Sequence, residues 1–266
     1  MGILEAIFLG VLQGVTEFLP VSSSGHLAIA QHFLGEDSTN LLFSVVVHVA
    51  TLCATLIVLR KSVVNMFSSL LTYKKSNQTI ENQKNIKMFL WIMITTFITG
   101  CLGLLLKDFF EKQFASLDVV GICLIITGII LWLPKLLQPE PKIEPHALGW
   151  KKSVLLGLAQ TFAILPGISR SGTTITTGLF LQLDRKNAGE YAFLISIPII
   201  LAALLLEVIE VRSIENLPWV QLSFGFVSAF VAGYFSLNLL LRWVRQGHLH
   251  YFSFYCWLVA LFVLAS

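Results

Sequence analysis

Two segments of this chain place polar and ionisable side chains, of types that handle phosphate, inside otherwise apolar sequence. The first runs from Gln13 to His26 and reads QGVTEFLPVSSSGH; the second runs from Pro166 to Thr173 and reads PGISRSGT. Arginine is always charged and grips phosphate oxygens with two N–H groups, and glycine-rich turns beside serines offer backbone N–H groups and hydroxyls. A serine near an imidazole is the usual form of an activated hydroxyl nucleophile. Together the segments predict an anion site with a nucleophile beside it.

The first segment supplies a carboxylate and an imidazole. Glu17 could hold a divalent cation, orient His26 or act as a base, or it could only cap a helix end. Gln13 lies four residues earlier and therefore on the same helical face. His26 follows the serines at 22–24, which favours a catalytic role over that of a structural histidine whose ring only makes hydrogen bonds. The spacing does not say which serine attacks. A second imidazole, His48, lies within an apolar stretch, where we expect it to hydrogen-bond between helices.

The second segment supplies the cation. Arg170 lies between Ser169 and Ser171, and a charged residue within apolar sequence is a functional hypothesis by default. We expect it to bind phosphate. The alternative is a structural ion pair with an intramembrane carboxylate, either Glu17 or Glu190.

The two segments are copies of one pattern at a constant offset. The matching pairs are Gly10 and Gly157, Gln13 and Gln160, Ser22 and Ser169, Ser24 and Ser171, and Gly25 and Gly172. The copies differ in their ionisable residues, because the first carries Glu17 and His26 and the second carries Arg170. An internal duplication whose two halves contribute different groups to one site is therefore predicted.

Composition places these segments in a membrane. The chain has 266 residues, of which 56% are hydrophobic and 12% are charged, against about 25% charged in soluble domains. The four cysteines lie in apolar segments without a CxxC spacing, which indicates packing residues. We interpret the net charge of +3 as a signal of membrane topology and expect no nucleic-acid partner.

The apolar stretches define the expected architecture. Six are long enough to cross a bilayer, which takes roughly 17–25 residues; they run over 41–59, 88–106, 117–137, 187–206, 219–241 and 250–266. Regions 1–34 and 153–183 each combine an apolar helix, a Ser/Gly loop and a short apolar run, 27–34 or 173–183, that covers about half a membrane. We predict an all-α polytopic membrane protein with six transmembrane helices and two re-entrant helix–loop–helix hairpins, forming a single membrane domain over 1–266.

Charge placement gives the predicted orientation. Most of the 18 Lys and Arg residues fall on one side of this arrangement, which the positive-inside rule assigns to the cytoplasm. Each half, approximately 1–137 and 150–266, has one hairpin and three spans, so the second half is inverted relative to the first. The first hairpin then enters from outside and the second from the cytoplasm, and their tips meet inside the bundle.

At these residues the chain resembles the undecaprenyl-diphosphate phosphatase family, the bacitracin-resistance membrane phosphatases of bacteria. The resemblance covers essentially the whole length and rests on the segments 13–26 and 166–173, with a further similar segment at 188–198. It implies hydrolysis of undecaprenyl diphosphate to undecaprenyl phosphate and inorganic phosphate, which recycles the carrier lipid for cell-wall synthesis and confers bacitracin resistance. It also implies the bacterial inner membrane, with the active site facing the external, periplasmic side.

The resemblance assigns a role to each catalytic candidate. Ser23 matches the nucleophile, His26 its acid/base partner and Arg170 the group that neutralises the diphosphate, with a divalent cation, Mg²⁺ or Ca²⁺, on Glu17. Many relatives carry Glu where this chain has Gln13, so Glu17 is the sole acid of its helical face. The expected substrate contacts are Gln13, Ser22, Ser24, Gly25, Ser169, Ser171 and Thr173.

One alternative function uses the same architecture. Inverted repeats with broken helices are also typical of secondary transporters. A membrane transporter or a lipid flippase on the same scaffold is therefore the main competitor of the phosphatase. The sequence leaves the oligomeric state open, a homodimer included.

Overall fold

A computed structural model of the protein describes residues 1–34, 41–73, 79–114, 116–137, 143–210 and 218–265. These residues are helical apart from turns and one isolated bridge between Ile143 and Leu183, which agrees with the all-α prediction. The helices are α1 (Ile3–Phe18), α2 (Ser23–Leu34), α3 (Leu41–Val58), α4 (Arg60–Leu71), α5 (Ile80–Leu105), α6 (Lys107–Phe114), α7 (Leu117–Trp132), α8 (Gly149–Phe162), α9 (Arg170–Phe180), α10 (Arg185–Glu210), α11 (Trp219–Gln246) and α12 (Tyr251–Ala265). Short 3₁₀ turns follow at Leu133–Leu136 and Pro145–Ala147.

Several of these helices have the length and composition of membrane spans. Within the described ranges, four qualify: α5, α7 with its 3₁₀ extension, α10 and α11. The helices α3 and α4 meet at 77° and make a fifth if they are counted as one span, whereas the apolar α12 has only 15 residues. Large apolar side chains such as Phe97 and Leu258 are exposed on the outside of the bundle. The protein is therefore a multi-pass membrane protein.

The two polar segments are more helical than the sequence suggested. The helix α2 begins at Ser23 and α9 begins at Arg170, rather than after the Ser/Gly loops. The reason is capping, because Ser169 Oγ accepts the backbone N–H of Gly172 at 3.0 Å and Ser22 Oγ accepts the N–H three residues further on. Ser23, His26 and Arg170 thus lie in the first turns of two helices, whereas Glu17 lies in the last turn of α1.

The polar stretch 72–87 was expected to be a loop, and its second half is instead the start of α5. Thr79 caps this helix, since its side chain accepts the N–H of Asn82 at 3.2 Å. Residues 139–142 of the expected linker between the halves lie outside the described residues. The helices α4 and α6, which follow α3 and α5, were not predicted.

Each of the two polar hairpins packs along a long helix of the other half. The helix α1 lies along α11 and α8 lies along α5, while α7 packs on α12 and α3 on α10 and α11. The corresponding glycines Gly10 and Gly157 allow both close approaches. A Cβ on Gly10 would lie 2.6 Å from the Gly225 carbonyl oxygen, and one on Gly157 would lie 3.0 Å from that of Thr95. The packing therefore matches the sequence repeat.

The approach of α1 to α11 predicts a selective effect of added methyl groups. In Gly14→Ala the new carbon would lie 2.5 Å from the Ala229 carbonyl oxygen, so α1 must move away, at a cost of roughly 1–3 kcal/mol. In the control Gly100→Ala the new carbon meets only Ile199, at 4.0 Å, and helix propensity improves by about 1 kcal/mol. Thermal unfolding in detergent measures both; equal melting temperatures would contradict the close packing.

Candidate active site

The turn after α1 and the turn after α8 lie against each other. The backbone N–H of Gly167 donates to Ser22 Oγ at 3.1 Å. A Cβ on Gly25 would lie 3.1 Å from the Gly167 Cα. Gly167 has φ +93°, a left-handed conformation that favours glycine. The expected contact between the two loops is confirmed.

The buried carboxylate of Glu17 joins these two segments. Its Oε1 accepts a hydrogen bond from Arg170 Nη2 at 2.5 Å. Its Oε2 accepts one from Ser23 Oγ at 2.8 Å and one from Gln13 Nε2 at 3.0 Å. Bonds to a charged group are shorter and about twice as strong as neutral ones. One carboxylate therefore orients the nucleophile candidate and the cation candidate together.

The two carboxylates considered as partners of Arg170 are thereby distinguished. Glu190 Oε1 accepts instead from Arg245 Nη2 at 3.0 Å. Arg170 pairs with Glu17, from the other copy of the repeat.

A cavity of about 260 Å³ lies where the two segments meet. Seven of the residues expected from the sequence line it: Glu17, Ser22, Ser23, Ser24, Ser169, Arg170 and Ser171. The first turns of α2 and α9 both contribute to this lining, and the first N–H groups of a helix lack intrahelical partners and carry a partial positive charge. Hydroxyls, a guanidinium and two helix N-termini make the cavity suited to an anion such as phosphate. The apolar part of its wall comes mainly from α10 at Ile199, Ile200, Ala203 and Leu204.

His26 does not meet the serine that the resemblance pairs with it. Its Nδ1 lies 2.8 Å from the Ser22 carbonyl oxygen, and its Nε2 lies 2.8 Å from the Tyr255 hydroxyl, with the two rings stacked. A carbonyl only accepts, so Nδ1 carries a proton and the neutral ring accepts from Tyr255 at Nε2. His26 is absent from the cavity lining, and the hydrogen-bond partner of Ser23 is Glu17.

Three further residues expected to contact substrate do not line the cavity. Gln13 is fully buried and donates to Glu17, so it acts on the carboxylate rather than on the cavity. Gly25 packs against Gly167. Thr173 is buried, and its hydroxyl has no hydrogen-bond partner in the described part of the chain.

The cavity also contains two residues that were not assigned to the site, Thr16 and His48. The Nδ1 of His48 lies 2.8 Å from the Ser44 carbonyl oxygen of its own helix, and the bond expected between helices is not the one observed. Its Nε2 makes no hydrogen bond within the described ranges. The signal in the sequence was a polar stripe on α3, because Ser44, His48 and Thr51 recur at spacings of four and three residues and therefore share one helical face.

Comparisons with known proteins identify the family of this chain. The model of the family described as bacitracin resistance protein BacA matches residues 6–262. The chain belongs to the BacA family. An undecaprenyl-diphosphatase of Treponema denticola is 41% identical over 96% of this chain and 94% of the relative. Those of Desulfatibacillum aliphaticivorans and Halothermothrix orenii are 39% and 36% identical, each over 99% of this chain and 98% of the relative. The resemblance drawn from the two motifs is thus confirmed.

The residues of this BacA-family site do not, in this arrangement, hold a metal ion by themselves. In the described ranges no three His, Cys, Asp or Glu side chains group as ligands. Both oxygens of Glu17 already accept N–H or O–H donors. The expected Mg²⁺ or Ca²⁺ on Glu17 stays a prediction.

The ion pair between the repeats predicts strong coupling in a double-mutant cycle. Glu17→Gln and Arg170→Gln should each destabilise the BacA-family bundle, because each leaves a poorly exposed charge without its partner. The double variant should be more stable than the sum of the two losses by about 0.5–3 kcal/mol. Unfolding in mixed micelles measures this, with Glu190→Gln as the control that should combine additively with Arg170→Gln. Additive losses for Glu17 and Arg170 would show that the pair contributes nothing.

Proposed function

We propose that this protein is an undecaprenyl-diphosphate phosphatase, which releases inorganic phosphate and leaves undecaprenyl phosphate. The observation that carries this is the hydrogen-bonded group of Ser23, Glu17 and Arg170, which lines a cavity suited to an anion. Ser23 and Arg170 lie at the N-termini of α2 and α9. The matched relatives are named undecaprenyl-diphosphatases and the family model bacitracin resistance protein. The activity recycles the carrier lipid for cell-wall synthesis and confers bacitracin resistance.

Ser23 is the proposed nucleophile. Its hydroxyl already donates to Glu17 Oε2 at 2.8 Å, so the carboxylate accepts the proton as Oγ bonds to the terminal phosphorus. The bond from that phosphorus to the bridging oxygen breaks, and its electron pair leaves with undecaprenyl phosphate. The products of this step are a phosphoserine and the lipid monophosphate.

Arg170 and the helix ends stabilise the charge on the transferring group. A guanidinium has five N–H donors, so Arg170 can turn from Glu17 toward the phosphoryl oxygens and bind them at more than one point. The hydroxyls of Ser169 and Ser171 and the N-terminus of α9 line the same side of the cavity. Positioning and charge stabilisation are the main contributions a protein makes to phosphoryl transfer.

His48 is the proposed base for the second step. Because Nδ1–H donates to the Ser44 carbonyl, the neutral ring presents Nε2 as an acceptor at the cavity. There it can take a proton from the water whose oxygen bonds to the phosphoserine phosphorus, while the bond from phosphorus to Ser23 Oγ breaks and Glu17 returns its proton to that oxygen. Inorganic phosphate is released, Ser23 and Glu17 are regenerated, and His48 passes its proton to the phosphate or to water. His26 would act indirectly, because its bond to the Ser22 carbonyl fixes the backbone immediately before the nucleophile.

The proposed membrane arrangement is six transmembrane helices with two re-entrant hairpins in an inverted repeat. The spans are α3, α5, α7, α10, α11 and α12, and the hairpins are α1 with α2 and α8 with α9. The second arms, α2 and α9, have 12 and 11 residues, or about 16–18 Å at 1.5 Å per residue, half of a bilayer. The matched packing of α1 on α11 and α8 on α5 supports the repeat.

The proposed location is the bacterial inner membrane with the cavity on the periplasmic side. The cations Arg60 and Lys61, which begin α4 directly after α3 ends, follow His48 by more than ten residues, so they lie at the other end of the bundle. The positive-inside rule assigns that end to the cytoplasm.

The cavity holds only the diphosphate, because it is smaller than the roughly 300–1,000 Å³ of drug-sized ligand pockets. The polyprenyl tail then lies along the apolar wall of α10.

Dependence on Mg²⁺ or Ca²⁺ would enter with the substrate. Such cations are often held by one or two carboxylates together with substrate phosphates. Glu17 is the protein ligand available in the cavity, and the bound cation would offset the charge of the diphosphate.

Phosphate release by purified protein in detergent tests the proposed reaction. With undecaprenyl diphosphate and Mg²⁺ or Ca²⁺, wild type should release phosphate, and a chelator should stop it. Ser23→Ala and Arg170→Ala should each lose about three orders of magnitude in kcat/KM. The control Ser68→Ala, at an exposed serine of α4, should keep full activity. No release by wild type would exclude the phosphatase and leave the transporter or flippase, which needs no nucleophile.

The role of His48 predicts where turnover stops. In His48→Ala the second step should slow by about 10²–10⁴-fold, so labelled phosphate from the terminal position should accumulate on the protein. The label should be absent in Ser23→Ala. A His48→Ala enzyme that loses turnover without accumulating label would show that His48 binds substrate rather than activating water.

A further inference from the structure

A second pocket, of about 620 Å³, lies where α3 ends and α4 begins, between the first turns of α10 and the last turns of α11. Its charged lining residues are the cations Arg60, Lys61, Lys186, Arg242 and Arg245 and the carboxylate Glu190. It is separate from the active-site cavity. Val58 follows His48 by ten positions on α3, and Glu190 precedes Ile199 by nine on α10, about 14–15 Å along each helix.

Most of the positive charge in this pocket is not neutralised. Arg245 pairs with Glu190 at 3.0 Å, which accounts for the one carboxylate. Within the described residues, Lys61, Lys186 and Arg242 make no hydrogen bond or ion pair. Like charges in a concave site repel each other and focus a positive potential, so an anion placed among them would be stabilised.

The helix α4 places this pocket at a membrane surface. It turns away from α3 by 77°, and it buries Met66 and Ser69 on the side that packs on α5. Val64, Phe67 and Leu71 are 62%, 54% and 86% exposed, and their spacing of three and four residues puts them on one face. An exposed apolar stripe on a helix that begins with two cations is typical of helices lying in the interface between headgroups and acyl chains.

We propose that the pocket binds the phosphate headgroup of an anionic glycerophospholipid, whose acyl chains lie against the apolar stripe of α4. The headgroup phosphate would pair with the cations Lys61, Lys186 and Arg242, and the acyl chains would cover the apolar side chains of Val64, Phe67 and Leu71. One lipid molecule therefore accounts for both features. The bound lipid bridges α3, α4, α10 and α11. Because it binds only the assembled helices, it stabilises the fold. The proposal does not depend on the reaction at the other end of the bundle.

Thermal unfolding of delipidated, full-length protein in neutral detergent tests this, with three additions compared. Phosphatidylglycerol should raise the melting temperature saturably, and phosphatidylcholine and inorganic phosphate at equal concentration should not. The triple variant Lys61→Gln, Lys186→Gln, Arg242→Gln should bind phosphatidylglycerol about 100-fold more weakly, since each cation near an anionic lipid contributes about a factor of five. A control triple, Lys87→Gln, Lys135→Gln, Lys151→Gln, removes equal charge from the same side outside the pocket and should respond as wild type.

Several outcomes would overturn the proposal. If the two triple variants lose affinity for phosphatidylglycerol equally, binding depends on general surface charge and not on this pocket. An equal shift with phosphatidylcholine would mean acyl-chain contact alone, and a full shift with inorganic phosphate would mean a free-phosphate site. Should the triple variant not fold, Lys186→Gln alone, followed by native mass spectrometry of retained phosphatidylglycerol, gives the same decision. Equal retention by Lys186→Gln and wild type would then count against the site.

Discussion

The site depends on one buried charge, the carboxylate of Glu17. An ionised carboxylate in an apolar interior costs several kcal/mol unless it is paired and hydrogen-bonded. Here it accepts bonds from Gln13, Ser23 and Arg170, the last from the other copy of the repeat. Arg170 would be equally costly alone. Each copy therefore needs the other to be folded, and their meeting creates the cavity.

Duplication and asymmetry have different functions in this arrangement. The features that both copies share, serines at the start of a short helix and a glycine that permits close packing, build two anion-binding helix ends facing one cavity. The ionisable groups are not duplicated: the carboxylate comes from α1 and the guanidinium from α9. A symmetric site would have placed two like charges together, which is unfavourable at this depth.

The sequence predicted what local pattern and pairing can determine. The apolar stretches located the helices, the i, i+4 spacing brought Gln13 to Glu17, and Glu17 was one of two partners considered for Arg170. Other features depend on how helices rotate and pack. Tyr255 meets His26 from 229 positions away, which no local pattern shows, whereas the polar stripe of Ser44, His48 and Thr51 on α3 did indicate the face that carries His48. Serine and glycine favour both loops and helix caps, which hid the true starts of α2 and α9.

In the proposed mechanism, the same ion pair links substrate binding to activation of the nucleophile. While Glu17 is bonded to Arg170 and Ser23, both of its oxygens accept hydrogen bonds. A diphosphate entering the cavity competes for the guanidinium with two or more oxygens arranged for bidentate contact. As Arg170 turns toward phosphate, Glu17 loses its strongest donor and becomes a better acceptor for the Ser23 proton. Because the helices α2 and α9 hold Ser23 and Arg170 at their first turns, this exchange requires only side-chain movement.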